Sequence, residues 1–197
     1  MDFGLRKMSE SDVETKLEAV FSLYQKHGQS DYIGEAVTQT EHMVQCAMLA
    51  EQEGFPTEVI LGALLHDIGH LVGMERKLER MGQLGVQHHE KIGQTFLKEL
   101  GFPTAVTDFV RGHVDAKRYR VYKEPAYYDQ LSSASKGTLV HQGGPMTKQE
   151  AVEFEKSPQF QAMLRMRGWD EGAKDPSVQI KPLQHYQELC REYLLNL

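Results

Sequence analysis

Residues 61–70 read LGALLHDIGH. Apolar side chains flank an adjacent His66–Asp67 pair, and His70 follows His66 at the four-residue spacing that shares one helix face. Ile60, Leu64, Leu65, Ile68 and Leu71 mark the segment as a buried helix. Polar groups in such a place cost stability unless they hydrogen-bond or bind a metal. The stretch therefore predicts both a helical core and a chemical site inside it.

Helices extend on both sides. Ser11 with Glu14 reads as a capping box for a helix running to about Gly28. Beyond QSDYIGE, a second helix covers about Val37 to Glu53. Pro56 and Thr57 open a third, which contains the stretch. The Gly-rich MGQLG leads to a helix from about Val86 to Leu100, and Pro103 opens another through GHVDAKRYR. PAYYDQLSSASKGTLVHQ reads as one helix ending at Gly143-Gly144-Pro145, and two more cover KQEAVEFEKSPQFQAMLRMRGWD and PLQHYQELCREYLL. No segment alternates with period 2, and no repeat or linker interrupts the chain. The expectation is a single all-α domain over residues 1–197.

Composition narrows the function. A chain of 197 residues, 40% hydrophobic and 25% charged, suits a globular domain with a sizeable core. The net charge of −6 leaves no basic field for nucleic acid or an anionic membrane, so an anionic ligand needs a local cluster. Two cysteines, Cys46 and Cys190, form no disulfide framework and point to reduced thiols in a cytoplasm. The opening MDFGLRKMSESD has no apolar signal core, and no apolar run is long enough to span a bilayer.

Nine histidines are many for this length, and their placement matters more. His42 falls on the second helix, His66 and Asp67 on the third, His89 on the fourth and His113 on the fifth, with Asp170 after a late helix. Imidazole and carboxylate together suit iron, manganese or zinc. Neighbouring helical side chains point about 100° apart, so His66 and Asp67 address one centre only if it lies between their directions. His88 competes with its neighbour His89 for a place in the set, whereas His27, His141 and His185 lack any such context.

Three of these positions also bring a basic or proton-donating neighbour at i,i+3 or i,i+4. His70 follows His66, Lys117 follows His113, and Arg167 precedes Asp170. Together they would hold an anion against metals in a net acidic protein, since Arg and Lys both suit phosphonate or phosphate oxygens. The plainer reading makes Lys117 and Arg167 surface ion-pair residues. The acidic run Glu150 to Glu155 reads as a solvated helix face.

The ordered set DYIGEAVTQTEH, ALLHDIGH, QHHEKIG, GHVDAKRY, LSSAS, HQGGPM and RGWDE, covering about residues 31–172, resembles the HD-domain mixed-valent diiron oxygenases that cleave carbon–phosphorus bonds. The resemblance implies an HD-domain helical fold. It implies one iron held by His42, His66, Asp67 and Asp170, and another held by His89, His113 and the bridging Asp67. His70, Lys117, Ser135 and Arg167 would bind the phosphonate. Tyr32 would occupy an iron site until substrate arrives, Glu35 would meet the substrate's cationic end, and Gly34 would serve as a hinge.

The cofactor implied is a mixed-valent Fe(II)/Fe(III) pair, and the partners are a small hydroxyphosphonate and dioxygen. Of two substrates, 1-hydroxy-2-(trimethylammonio)ethylphosphonate, giving glycine betaine, is preferred over 2-amino-1-hydroxyethylphosphonate, giving glycine. Tyr119, Tyr122, Tyr127 and Tyr128 are the aromatic candidates near a quaternary ammonium. Ligand count alone also fits a dinuclear HD-domain phosphohydrolase, in which two metals generate hydroxide. A non-enzymatic HD-like scaffold would need fewer intact ligands.

Overall fold

The computed structural model describes residues 8–32 and 34–197, and in it the LGALLHDIGH stretch is two helices rather than one. Residues 1–7 of the opening segment read for a signal and Ile33 of DYIGE fall outside the described residues. Helix α3 (Thr57–Leu65) stops at His66, and α4 (Ile68–Arg76) starts after Asp67, whose φ of −103° and ψ of 10° lie outside the helical well. Every residue of α3 from Val59 to Leu65 is buried. A helix apolar on all sides belongs in the middle of a protein, and here it delivers the residue that follows it, His66, into the interior.

The other helices pack around it. They are α1 (Glu10–His27), α2 (Gln39–Gln52), α5 (His89–Glu99), α6 (Thr104–Lys123), α7 (Pro125–Gln130), α8 (Ser133–His141), α9 (Lys148–Phe154), α10 (Phe160–Gly172) and α11 (Leu183–Leu195). Helix α3 touches α2, α6 and α11, while α4 lies against α1 and α5. One apolar core runs from Val13 and Leu17 of α1 through α3 to Trp169 and Leu194. The hydroxyl of Tyr24 donates to the Leu64 carbonyl at 2.6 Å, one of the acceptors orphaned where α3 ends. Among the described residues, extended pairing is limited to the isolated bridges Asp31–Thr38 and Arg80–Val86, so the all-α expectation holds.

Several boundaries depart from the sequence reading, each for a local reason. Ser9, not Ser11, caps α1: its extended backbone lets the side chain accept from the Asp12 N–H, leaving Ser11 already inside the helix. Helix α2 starts two residues later than expected because Thr38 and Glu41 form a capping box. Helix α5 starts at His89 rather than near Val86, since His88 adopts a left-handed conformation (φ 57°). The expected 125–142 helix divides at Ser132, whose side chain caps α8. The long late helix divides before Pro158, so Asp170 lies in the last turn of α10 rather than after it.

Close backbone approach fixes α5 against α4. A Cβ built on Gly69 would stand 1.8 Å from the His89 carbonyl oxygen and 2.9 Å from the Gly93 nitrogen. Gly69→Ala must therefore push the start of α5 away, and it should destabilise the protein by about 1–3 kcal/mol, the range for overpacking. Gly172→Ala, whose added atom meets nothing nearer than Leu49 at 4.0 Å, should stay within about 0.5 kcal/mol of the parent. Urea unfolding of both variants measures the difference. Equal effects would show that the contact does not constrain the packing.

Candidate metal and anion site

The turn between α3 and α4 answers the question of how adjacent residues can address one centre. Released from helical geometry, the Asp67 carboxylate turns into the space where four imidazoles converge. Its Oδ2 lies 3.2 Å from His66 Nε2 and 3.7 Å from His42 Nε2, while its Oδ1 lies 3.2 Å from His89 Nε2 and 3.4 Å from His113 Nε2. Each carboxylate oxygen thus faces a different pair of histidines. Asp170 Oδ1 completes the first group at 3.4 Å from His42 Nε2. All six side chains are buried.

Backbone carbonyls set the ring orientations. His42 Nδ1 donates to the Ala173 carbonyl (2.9 Å), His66 Nδ1 to Ala63 (2.8 Å) and His113 Nδ1 to Val110 (2.7 Å). A carbonyl only accepts, so each Nδ1 carries a proton and each Nε2 is left to face the interior. His42 Nε2 and His66 Nε2 then face each other at 3.1 Å, with two carboxylates beside them. Two imidazole nitrogens and two carboxylates converging on one point can share a cation, and this donor set suits a first-row metal. His89 Nε2 meets His113 Nε2 at the same 3.1 Å, while the buried His89 Nδ1 makes no hydrogen bond and has Glu90 Oε2 4.0 Å away.

The electrostatics agree. Burial alone would raise Asp67, yet His66, His113 and His89 hold its carboxyl well below the ordinary range. Burial opposes ionisation of Asp170 too, but Arg167 and His42 depress it strongly. Burial would lower His66, and Asp67 and Asp170 reverse that and raise it. The cluster calls for positive charge.

A cavity of about 70 Å³ opens on this centre. Tyr32, Glu35, His70, Lys117, Ser135 and Arg167, all singled out from the sequence, line it together with Asp67, His89, His113 and Asp170. His70 accepts the Val86 N–H at Nδ1 (3.1 Å), so its Nε2 carries the proton, and its ring stacks on His89. Lys117 donates to Thr138 Oγ1 (2.9 Å) and the Ser135 carbonyl (3.3 Å); burial, followed by the nearby Arg167, lowers its ammonium to about 7. Arg167 binds Asp170, Tyr127 and Glu171, so neither cation is a surface residue.

Tyr32 lies flat on the His42 ring (3.8 Å between centroids, 13° between planes), and burial with Asp170 and Asp67 pushes its phenol well above the ordinary value. Gly34 adopts φ +75° in the same loop, a conformation that suits glycine. His88 is exposed and His89 buried, which separates the two competitors. The four expected aromatic candidates are elsewhere. Tyr119 packs with Phe154 and Phe160, Tyr127 braces Arg167, Tyr128 is exposed, and none of the four lines the cavity.

Some residues of the site escaped the sequence reading. Cys46 Sγ lies 4.0 Å from His42 Nε2, one turn along α2. Gln39 turns its amide nitrogen to the Asp31 carbonyl (3.3 Å) and leaves its Oε1 buried, without a partner, beside the cavity. Lys174 lines the cavity and pairs with Glu35 at 2.6 Å. It stands four residues after Asp170, the spacing that found Lys117, but that rule presumes a continuing helix and α10 ends at Gly172.

Among known proteins, the chain matches the HD domain family over residues 40–178. It is 44% identical over 178 residues to the uncharacterized protein L432 of Acanthamoeba polyphaga mimivirus, covering 90% of this chain and 81% of that one. It is 41% identical to the [1-hydroxy-2-(trimethylamino)ethyl]phosphonate dioxygenase (glycine-betaine-forming) of Leisingera caerulea, covering 89% and 88% of the two chains. It is 39% identical to the hydroxymethylphosphonate dioxygenase of Gimesia maris, covering 90% and 89%. With the metal-binding geometry and these relatives together, the chain belongs to the HD-domain family and, within it, to the oxygenases that the last two represent.

Proposed function

We propose that the protein uses dioxygen to cleave the C–P bond of a 1-hydroxyphosphonate, releasing phosphate and a carboxylic acid. The observation that carries this reading is the Asp67 carboxylate, whose two oxygens face separate histidine pairs as a bridge between two metal ions would. His42, His66, Asp67 and Asp170 would hold one iron, and His89, His113 and Asp67 the other. When bound as an Fe(II)/Fe(III) pair, the irons supply open coordination positions and the electron exchange that dioxygen chemistry needs. The overall conversion, R–CH(OH)–PO3H2 + O2 → R–COOH + H3PO4, balances without an external reductant.

The chain's own groups bind and orient the substrate. The protonated Nε2 of His70, the Lys117 ammonium and the Arg167 guanidinium present donors to a phosphonate along the cavity wall, with Ser135 beside them. Such charge-assisted bonds are stronger than neutral ones and fix the C1 substituents toward Asp67. Tyr32, stacked on His42, would cap the centre in the absence of substrate and exclude water. Room for on the order of five waters favours a short phosphonate over the nucleotides of a phosphohydrolase.

For the group beyond C1, the trimethylammonio compound expected from the sequence is supported by Glu35 in the cavity and by the 41% identical relative. The aminoethyl compound offers N–H donors to the same carboxylate. A substrate without a cation, like that in the name of the 39% identical relative, is favoured by the Glu35–Lys174 pair.

The iron-loaded protein should release phosphate from a 1-hydroxyphosphonate in air and none under anaerobic conditions, and zinc-loaded protein should release none in either. Activity of the zinc form would replace the oxygenase reading with hydrolysis. Asp67→Ala should reduce bound iron from two per chain to well below one by elemental analysis. Lys117→Ala should keep its iron and raise KM, and equal iron loss in both variants would contradict the separation of metal and anion groups. Tyr32→Phe keeps the ring on His42 and removes the hydroxyl; without substrate, its centre should be oxidised in air several-fold faster than the parent. An unchanged rate, followed by electron paramagnetic resonance, would assign Tyr32 a packing role only.

A further inference from the structure

We infer that Lys174 is a specificity-determining residue that neutralises Glu35 and sets the cavity against substrates carrying a cation beyond C1. The inference rests on the hydroxyphosphonate reading above and narrows its substrate class to compounds with hydrogen or a small uncharged group at that position.

Glu35 is the cavity carboxylate that does not belong to the candidate metal ligands. Its Oε1 accepts from Lys174 Nζ at 2.6 Å, and both side chains are mostly shielded, at 17% and 20% exposure. The ammonium also lies 6.0 Å from the centroid of the Tyr32 ring, so it stands over the same loop that covers His42. A quaternary ammonium has no N–H with which to compete for Glu35, and would place a second positive charge beside Lys174. A primary ammonium could compete, but only by displacing Lys174 from its partner.

The chain places this lysine firmly. Gln45 of α2 donates from Nε2 to the Asp175 carbonyl at 2.9 Å, and His42 donates to the Ala173 carbonyl. The peptide carrying Lys174 is thus held on both sides by α2. Tyr119, Tyr122, Tyr127 and Tyr128 lie outside the cavity, so Tyr32 is its one lining tyrosine among the described residues, and its ring is stacked on His42. With Lys174 in place, the pocket offers a methylated cation neither a free carboxylate nor an aromatic box.

The test compares hydroxymethylphosphonate, 2-amino-1-hydroxyethylphosphonate and the trimethylammonio compound with iron-loaded parent, Lys174→Met and Lys174→Arg proteins. For the parent, kcat/KM should be at least tenfold higher on hydroxymethylphosphonate than on either cationic compound. Lys174→Met should shift that ratio at least tenfold toward the cations, and Lys174→Arg, which keeps the ion pair, should retain the parent preference. Anaerobic titration calorimetry should show the same split in affinity, separating recognition from chemistry. A parent that prefers the trimethylammonio compound, or a Lys174→Met effect equal on all three, would overturn the inference. Absence of oxygen-dependent phosphate release from all three with the parent would instead sink the hydroxyphosphonate reading.

Discussion

A carboxylate buried among four imidazoles is the constraint around which this molecule is organised. Stripping an ionised group of water costs several kcal/mol even after a protein relaxes, and Asp67 is almost wholly enclosed. The fold meets that cost by ending α3 one residue before the histidine and restarting the helix one residue after the aspartate. The two-residue turn lets neighbouring side chains converge where a continuous helix would splay them. Because α4 must then run close beside α5, Gly69 and Gly93 bring the two backbones together, and His89 reaches Asp67 from across that contact.

Around the candidate ligands, charge and hydrogen bonding are distributed by the same logic. Three imidazoles are tied through Nδ1 to main-chain carbonyls, which leaves their other nitrogens no freedom to turn away. Arg167 sits against Asp170 and Glu171, so its charge is shared between a candidate ligand and the cavity. Lys117, Arg167 and Lys174 line the cavity together with the carboxylates of Glu35, Asp67 and Asp170, so both signs of charge face its interior.

The helical character and much of the site were legible because their signals are local. Apolar spacing around Ile60–Leu71 marked the core, and i,i+4 spacing placed His70 and Lys117 beside candidate ligands. What escaped depends on backbone detail or distant contact. The break at His66–Asp67 leaves no mark in an apolar run that would also suit a continuous helix. The left-handed His88 separates the exposed ring from the buried one, which two adjacent histidines do not declare. Lys174 lies past the end of α10, and its partner Glu35 is 139 residues away in the chain. None of the tyrosines after Lys117 lines the cavity: Tyr119 and Tyr122 follow α6 past it, and Tyr127 and Tyr128 sit on α7, where Tyr127 reaches the site only through its bond to Arg167.

The loop that carries Tyr32 and Glu35 is tied at its base. Backbone bonds join Gly28 to Thr40 and Ser30 to Gln39, each at 2.9 Å, and a Cβ on Gly28 would collide with Thr40 Oγ1. Those rungs, with the Thr38–Glu41 capping box, hold the start of α2 and so His42 in place without calling on the Glu35 side chain. The base of the loop thus belongs to the scaffold, and Glu35 to the cavity wall. A change at position 35 or 174 would then alter one wall of the cavity while leaving the costly buried cluster around Asp67 as it is.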